Sequence, residues 1–244
     1  MLFAILLALT IGYQVALLWR GRMFAPLRLG FEARHLRWAS ALWLGYGLPA
    51  LFGLLVTQRL GGIAHLPREF LPLALYLGLP PGSIGTGLVL GGLAGGSLIG
   101  LAFTWWRARR GRAPWTAGDA RSIMPTSDAD LWPAAVLAVS AGVAEELFYR
   151  LWLPLIVALA TGSGLAGIIV GTSAFAAMHR YQGWLGIAAT LIGGGLLTAL
   201  YMGSGALWLP IAVHILTDVN ALVIRPAFSA RWRRRFSSSD ASRS

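Results

Sequence analysis

Seven apolar runs, at about 2–19, 38–58, 84–106, 132–160, 163–179, 184–203 and 205–224, govern what this chain can become. A helix needs roughly 20 apolar residues to cross about 30 Å of hydrocarbon, and these runs meet or approach that length. The expected fold is therefore all-α, a polytopic membrane bundle of about seven transmembrane helices. A shorter run, Phe70 to Leu79, ends in Pro80-Pro81 and reads as a re-entrant or interfacial piece, with an eighth span as the alternative. Composition agrees: 57% of the 244 residues are hydrophobic, 12% are charged, and the mean hydropathy is +0.67. That is about half the charge of a soluble domain, as lipid requires because it cannot solvate ions. There is no Cys, which excludes disulfides, thiol nucleophiles and Cys-ligated zinc.

The net charge of +11 comes from 20 basic residues, all of them Arg. They cluster between apolar runs, so they read as topology signals and as contacts for anionic lipids, not as a nucleic-acid surface. The first run has no basic residue before it and is followed by Arg20, Arg22, Arg28, Arg34 and Arg37. A cleavable signal peptide carries its charge in front, so a retained span with the N-terminus outside is expected. Seven spans then place 20–37, the Arg-rich 107–121 stretch and the C-terminal tail in the cytoplasm. Trp19, Trp38, Trp105, Trp106, Trp132 and Trp184 fall near span ends, as an aromatic belt does. The polar stretch Arg107–Asp130 divides the chain. Residues 1–130 read as scaffold helices with a cytoplasmic loop, 131–224 as the catalytic core of the same membrane domain, and 225–244 as a basic tail. In the scaffold part, Gly87, Gly91, Gly95 and Gly92, Gly96, Gly100 recur every four residues and predict close helix packing. Arg231, Arg233, Arg234 and Arg235 with Trp232 and Phe236 read as a positive-inside anchor, with anionic-lipid binding as the alternative.

An ionisable group inside a span costs on the order of 2.5–3.5 kcal/mol, so such groups persist when they pair, line a wet cavity or work. Here the set is Glu145, Glu146 and Arg150 in one run, His179 closing the next, and His214 with Asp218 in the last. Glu146 and Arg150 are four apart, with Glu in the favourable N-terminal place, and are expected to neutralise each other. Glu145 is turned about 100° away and is left for other work. His214 and Asp218 are also four apart, so the carboxylate is expected to hold one imidazole nitrogen. Phe175, four before His179, is placed to pack beside that ring. One free carboxylate, two imidazoles and their partners suit water activation and proton transfer. His35 and His65 read as solvated loop residues. Gly162-Ser163-Gly164-Leu165-Ala166-Gly167 fits a dinucleotide glycine pattern, but follows a membrane span and reads as a turn.

Glu145-Glu146-x-x-x-Arg150, Phe175-x-x-x-His179 and His214-x-x-x-Asp218 resemble the three signature motifs of the CAAX protease and bacteriocin-processing (CPBP, or Abi) intramembrane proteases. Order and approximate separation match, over roughly residues 131–224. The resemblance implies an all-helical membrane endopeptidase of a bacterial or archaeal cell membrane, cutting near the C-terminus of a membrane-associated protein or peptide. It implies Glu145 as general base, His179 as its partner in activating water, and His214 with Asp218 on the oxyanion side. Asp stands where the family has Asn or Asp, so Asp218 either keeps His214 protonated or is itself protonated. Two His and two carboxylates permit Zn²⁺, but no contiguous ligand motif demands it, and a metal-free mechanism without cofactor is favoured. The alternatives are a proton-coupled transporter, because buried Glu, His and Asp also build proton relays, and a non-catalytic immunity or scaffold member of the family.

Overall fold

The computed structural model describes residues 1–20, 34–110, 112, 118–119 and 122–228. Among these the elements are helices: α1 (Leu2–Arg20), α2 (Arg34–Leu42), α3 (Leu48–Val56), α4 (Leu71–Tyr76), α5 (Thr86–Arg109), α6 (Leu131–Glu146), α7 (Leu153–Thr161), α8 (Gly164–Met178), α9 (Gly183–Ser204) and α10 (Trp208–Val219). Among the described residues, six helical stretches are long and apolar enough to cross a membrane. The longest, Gly164–Ser204, is folded back on itself. Gly194 of α9 lies against Thr172 and Phe175 of α8, and Gly183 makes the reversal at φ +75°. Six stretches, one of them double, amount to the seven apolar legs expected. The basic residues Arg22, Arg28 and Arg121, and the tail from Arg231 to Phe236 with its lipid-binding alternative, lie outside the described residues.

Connections gather at two ends. At the first, Arg180 donates to the Leu18 carbonyl, the Asp119 N–H donates to the Gln182 carbonyl at 3.0 Å, and Arg34 donates to the Met124 carbonyl at 2.9 Å. At the second, Tyr201 donates to the Gly62 carbonyl at 2.8 Å, while the N–H groups of Leu207 and Ile84 reach the carbonyls of Ile63 and Gly203 at 3.2 and 3.1 Å. Helix α4 starts and finishes at this second end, since Glu69 sits against Gly164 and Pro81 against Gly205. The run Phe70–Leu79 therefore adds no eighth crossing.

Three spans contain a π-helical piece: Trp43–Gly47, Leu147–Trp152 and Asn220–Ile224. Each ends two residues before a proline, respectively Pro49, Pro154 and Pro226. Proline lacks the N–H of the helical ladder and its ring clashes with the carbonyl four residues back. A widened turn just before it accommodates the ring without ending the span.

The leg built from α6 and α7 is the centre of the bundle, buried along most of its length, whereas α5 buries only Thr104 and Ala108. The stability of that centre rests on close backbone approach at particular glycines. On α6, a Cβ on Gly142 would stand 3.0 Å from the backbone nitrogen of Ile215, so α10 crosses there in near contact. On α8, a Cβ on Gly171 would stand 2.6 Å from the Tyr149 carbonyl. The glycines expected to pack closely, Gly87, Gly91, Gly95, Gly92, Gly96 and Gly100, have no atom within 4 Å of their Cβ positions. That expectation is corrected: helix α5 stands at the periphery, and close helix contacts are made instead at glycines such as Gly142, Gly167 and Gly171.

Candidate active site

Trp38, Leu42 and Tyr46 recur every four residues on the leg of α2 and α3, and Leu137, Ala141 and Glu145 do so on α6; all six line one cavity. Eight residues of helix rise about 12 Å. The two stripes therefore line a shaft, with Trp38 and Leu137 toward the first end and Tyr46 with Glu145 deep inside. Met178, His179 and Tyr181 form another wall, and His214 with Asp218 a third. The cavity measures about 80 Å³. That admits water, yet it is smaller than the roughly 150 Å³ that takes a benzene ring.

The floor is a network of charges drawn from two helices. Arg150, with its side chain 1% exposed, lies 3.1 Å from Oε1 of Glu146, whose side chain is fully buried, as the spacing predicts. The same Oε1 accepts from Nδ1 of His214 at 2.7 Å. On the far side of that ring, Nε2 is 3.8 Å from Glu145 and 3.6 Å from Asp218. These last two are ion-pair separations and too long for hydrogen bonds. Asp218 thus faces Nε2 as an ion-pair partner, as the four-residue spacing predicts, while the ring's hydrogen bond runs from Nδ1 to Glu146 on another helix, which the spacing did not predict. The physical reason is the α6–α10 approach at Gly142, which brings the residue beside Ile215 onto α6. Asp218, one turn further along, keeps its side chain 29% exposed on the cavity wall.

His179 stands where α8 gives way to a 3₁₀ turn. Its Nδ1 donates to the Phe175 carbonyl at 2.9 Å, which leaves Nε2 as the basic nitrogen of the neutral ring. The Phe175 ring meets His179 edge-on at 4.8 Å between centroids. It also carries the Arg150 guanidinium over its face at 3.8 Å, a cation–π contact inside the core. Phe175 thus joins the buried cation to one imidazole, and it lies 6.1 Å from the ring of the other.

Other residues at the site carry no chemical motif. Tyr46, Tyr181 and Trp38 belong to the cavity wall. Trp38 is no belt residue: its ring meets Tyr181 edge-on at 6.1 Å, while Trp19, Trp132 and Trp184 remain outward, each at least 74% exposed. His35 is also reassigned. It lies in α2, 2% exposed, with Nε2 2.9 Å from the Ile123 carbonyl; His65 is exposed, as expected. The four-residue recurrence of Trp38, Leu42 and Tyr46 was the available signal, but in a wholly apolar span it is indistinguishable from packing. Two imidazoles and two carboxylates on the cavity are zinc-ligand types. However, no group of three or more His, Asp or Glu among the described residues is placed to hold a metal ion.

Residues 127–220 match the family model described as type II CAAX prenyl endopeptidase Rce1-like, which is the CPBP family that the motifs resemble. The matched segment runs from the start of α6 to the end of α10 and contains Glu145, Glu146, Arg150, Phe175, His179, His214 and Asp218. No curated protein and no solved structure matches the chain. The apolar legs make the chain a multi-pass membrane protein, and its segment 127–220 is similar to the type II CAAX prenyl endopeptidases.

Proposed function

We propose that the protein hydrolyses a peptide bond near the C-terminus of a membrane-associated, lipid-modified substrate, with water activated by Glu145 and His179. The observation that carries this reading is the meeting of Glu145, His179, His214 and Asp218, from three separate legs, on one small cavity. A prenylated substrate is what the name of the matched family suggests.

The chemistry follows from which atoms are left free. Glu145 takes a proton from water as its oxygen bonds to the scissile carbonyl carbon, and His179 offers Nε2 to the same water. The carbonyl oxygen becomes an oxyanion, for which His214 supplies an N–H at Nε2. Because Nδ1–H already faces Glu146, that second donor requires the imidazolium. Glu145, Glu146 and Asp218 around the ring, with Arg150 behind them, balance its charge. Preorganised donors of this kind are worth about 10²–10³ in rate. The proton held by Glu145 then passes to the leaving amine as the C–N bond breaks. Glu146 is a positioning residue in this scheme, since it acts through His214. No step is assigned to a metal.

The test is comparative C-terminal peptidomics of membranes from cells carrying the parent or Glu145→Gln, with the parent assayed again after exhaustive chelation. Substrate C-termini that stay unprocessed only in the variant support the reading. Identical processing in both ends it, and chelation loss rescued by Zn²⁺ overturns the metal-free part.

A further inference from the structure

The shaft has one more wall, which does not come from a helical leg. Ile123 also lines the cavity, and its segment is held by two hydrogen bonds from α2. His35 Nε2 meets the Ile123 carbonyl at 2.9 Å, and Arg34 Nη2 donates to the next carbonyl, that of Met124, also at 2.9 Å. A carbonyl only accepts, so His35 carries its proton on Nε2. The Nδ1 of the same ring is buried without a hydrogen-bond partner, so the whole buried histidine is committed to this one bond.

The segment around Ile123 is tied down on both sides of the cavity. Past it, the Asp130 carboxylate accepts from the Thr126 N–H, the Thr126 hydroxyl and the Ser127 N–H at 2.8, 2.7 and 3.1 Å, which fastens it to the start of α6. Before it, Asp119 donates to the Gln182 carbonyl at 3.0 Å, next to cavity residue Tyr181. Gly118 lies so close to α9 that a Cβ there would stand 2.6 Å from the Gln182 carbonyl and 3.0 Å from the Gly186 Cα. The described parts of this segment thus cross the end of the shaft from the α9 side to α6, meeting α2 on the way. Beneath them the space is about 80 Å³, roughly half of what accepts one benzene ring. With Ile123 in this place, the space around Glu145 is too small for a peptide.

We infer that residues 122–124 are a strap over the catalytic shaft, latched by His35 and Arg34, which must leave its place for substrate to enter along α2 and α6. That the entrant is a peptide substrate rests on the function proposed above; that the strap closes the shaft does not. Ile123, which faces the cavity when the latch is made, thereby controls access from that side.

The chain contains no Cys, so a single Ala141→Cys reports on the middle of the shaft. Its modification by a small cationic methanethiosulfonate is followed in vesicles holding the full-length protein. Adding His35→Ala is expected to raise the labelling rate roughly tenfold, the scale set by losing one hydrogen bond of ordinary net worth. Adding His35→Gln instead, which keeps an N–H for the Ile123 carbonyl, is expected to leave the rate within about twofold. Ala138→Cys, at a fully buried position of α6, must stay unlabelled in the His35→Ala background. Equal rates for parent and His35→Ala overturn the strap, as does labelling at both 138 and 141, which signals general loosening. None of these readouts depends on whether the protein cuts peptides.

Discussion

Glu146 is fully buried and serves two partners with one oxygen, Oε1: Arg150 at 3.1 Å and His214 at 2.7 Å. Removing one member of such a group leaves a buried charge uncompensated, which typically costs about 3–5 kcal/mol. We expect Arg150→Met and Glu146→Gln each to destabilise the protein on that scale, and the double variant to fall well short of their sum. Thermal unfolding of the purified proteins in one detergent checks this; simple additivity would show that the pair is not coupled. The i, i+4 half of the network was legible in the sequence because helical spacing alone brings Glu146 to Arg150. The other half was not. His214 is 68 residues away, and the nearer Asp218 offered a local partner with equally good spacing. Only the crossing of α6 with α10 adds Glu146 at Nδ1 to the Asp218 that spacing places at Nε2.

The elements owe their placement to small residues and prolines that carry no chemistry. Gly142 lies three residues before Glu145, where α10 comes within a Cβ's reach. Gly142→Ala should push the helices apart, lose about 1–3 kcal/mol of stability by overpacking and lower activity further by pulling His214 from Glu146. Gly91→Ala on α5, with open space around it, should instead be neutral or slightly stabilising, by up to about 1 kcal/mol. Paired unfolding curves of the two variants test the contrast, and equal loss from both would contradict it. The helices themselves were plain from run length, as was the short α4 from its closing prolines. Which glycines pack was not, because a four-residue glycine repeat has the same spacing on a peripheral helix as at a core crossing. The π segments share that difficulty. Pro49, Pro154 and Pro226 stand in the sequence, but whether a span breaks, kinks or widens at proline depends on the neighbours that hold its other turns.

At the scale of the molecule, seven legs run between two ends, and the shaft above Glu145 leads, under Ile123, to the end where α2 and α6 begin. Residues 1–130 contain no motif, yet Trp38, Leu42, Tyr46 and Ile123 from that part complete the walls around Glu145. The matched family segment, 127–220, supplies the charged floor, and the rest of the chain shapes the approach to it. The fold-back at Gly183 predicts that Arg68 and Ser204 lie on one side of the membrane and Arg110 on the other. With positive charge inside, single cysteines at 68 and 204 should label from outside intact cells, and one at 110 only after the membrane is opened. Labelling of 68 and 204 from opposite sides would contradict the seven-leg arrangement. The central claim is that Glu145 and His179 act together on one water. It is tested most directly by the hydrolysis rate of the purified, vesicle-reconstituted protein on a substrate identified by the peptidomics, beside Glu145→Gln and His179→Ala. The account predicts that each variant folds as the parent does and loses about 10²–10⁴ in rate. A Glu145→Gln protein that cuts at the parental rate would contradict it.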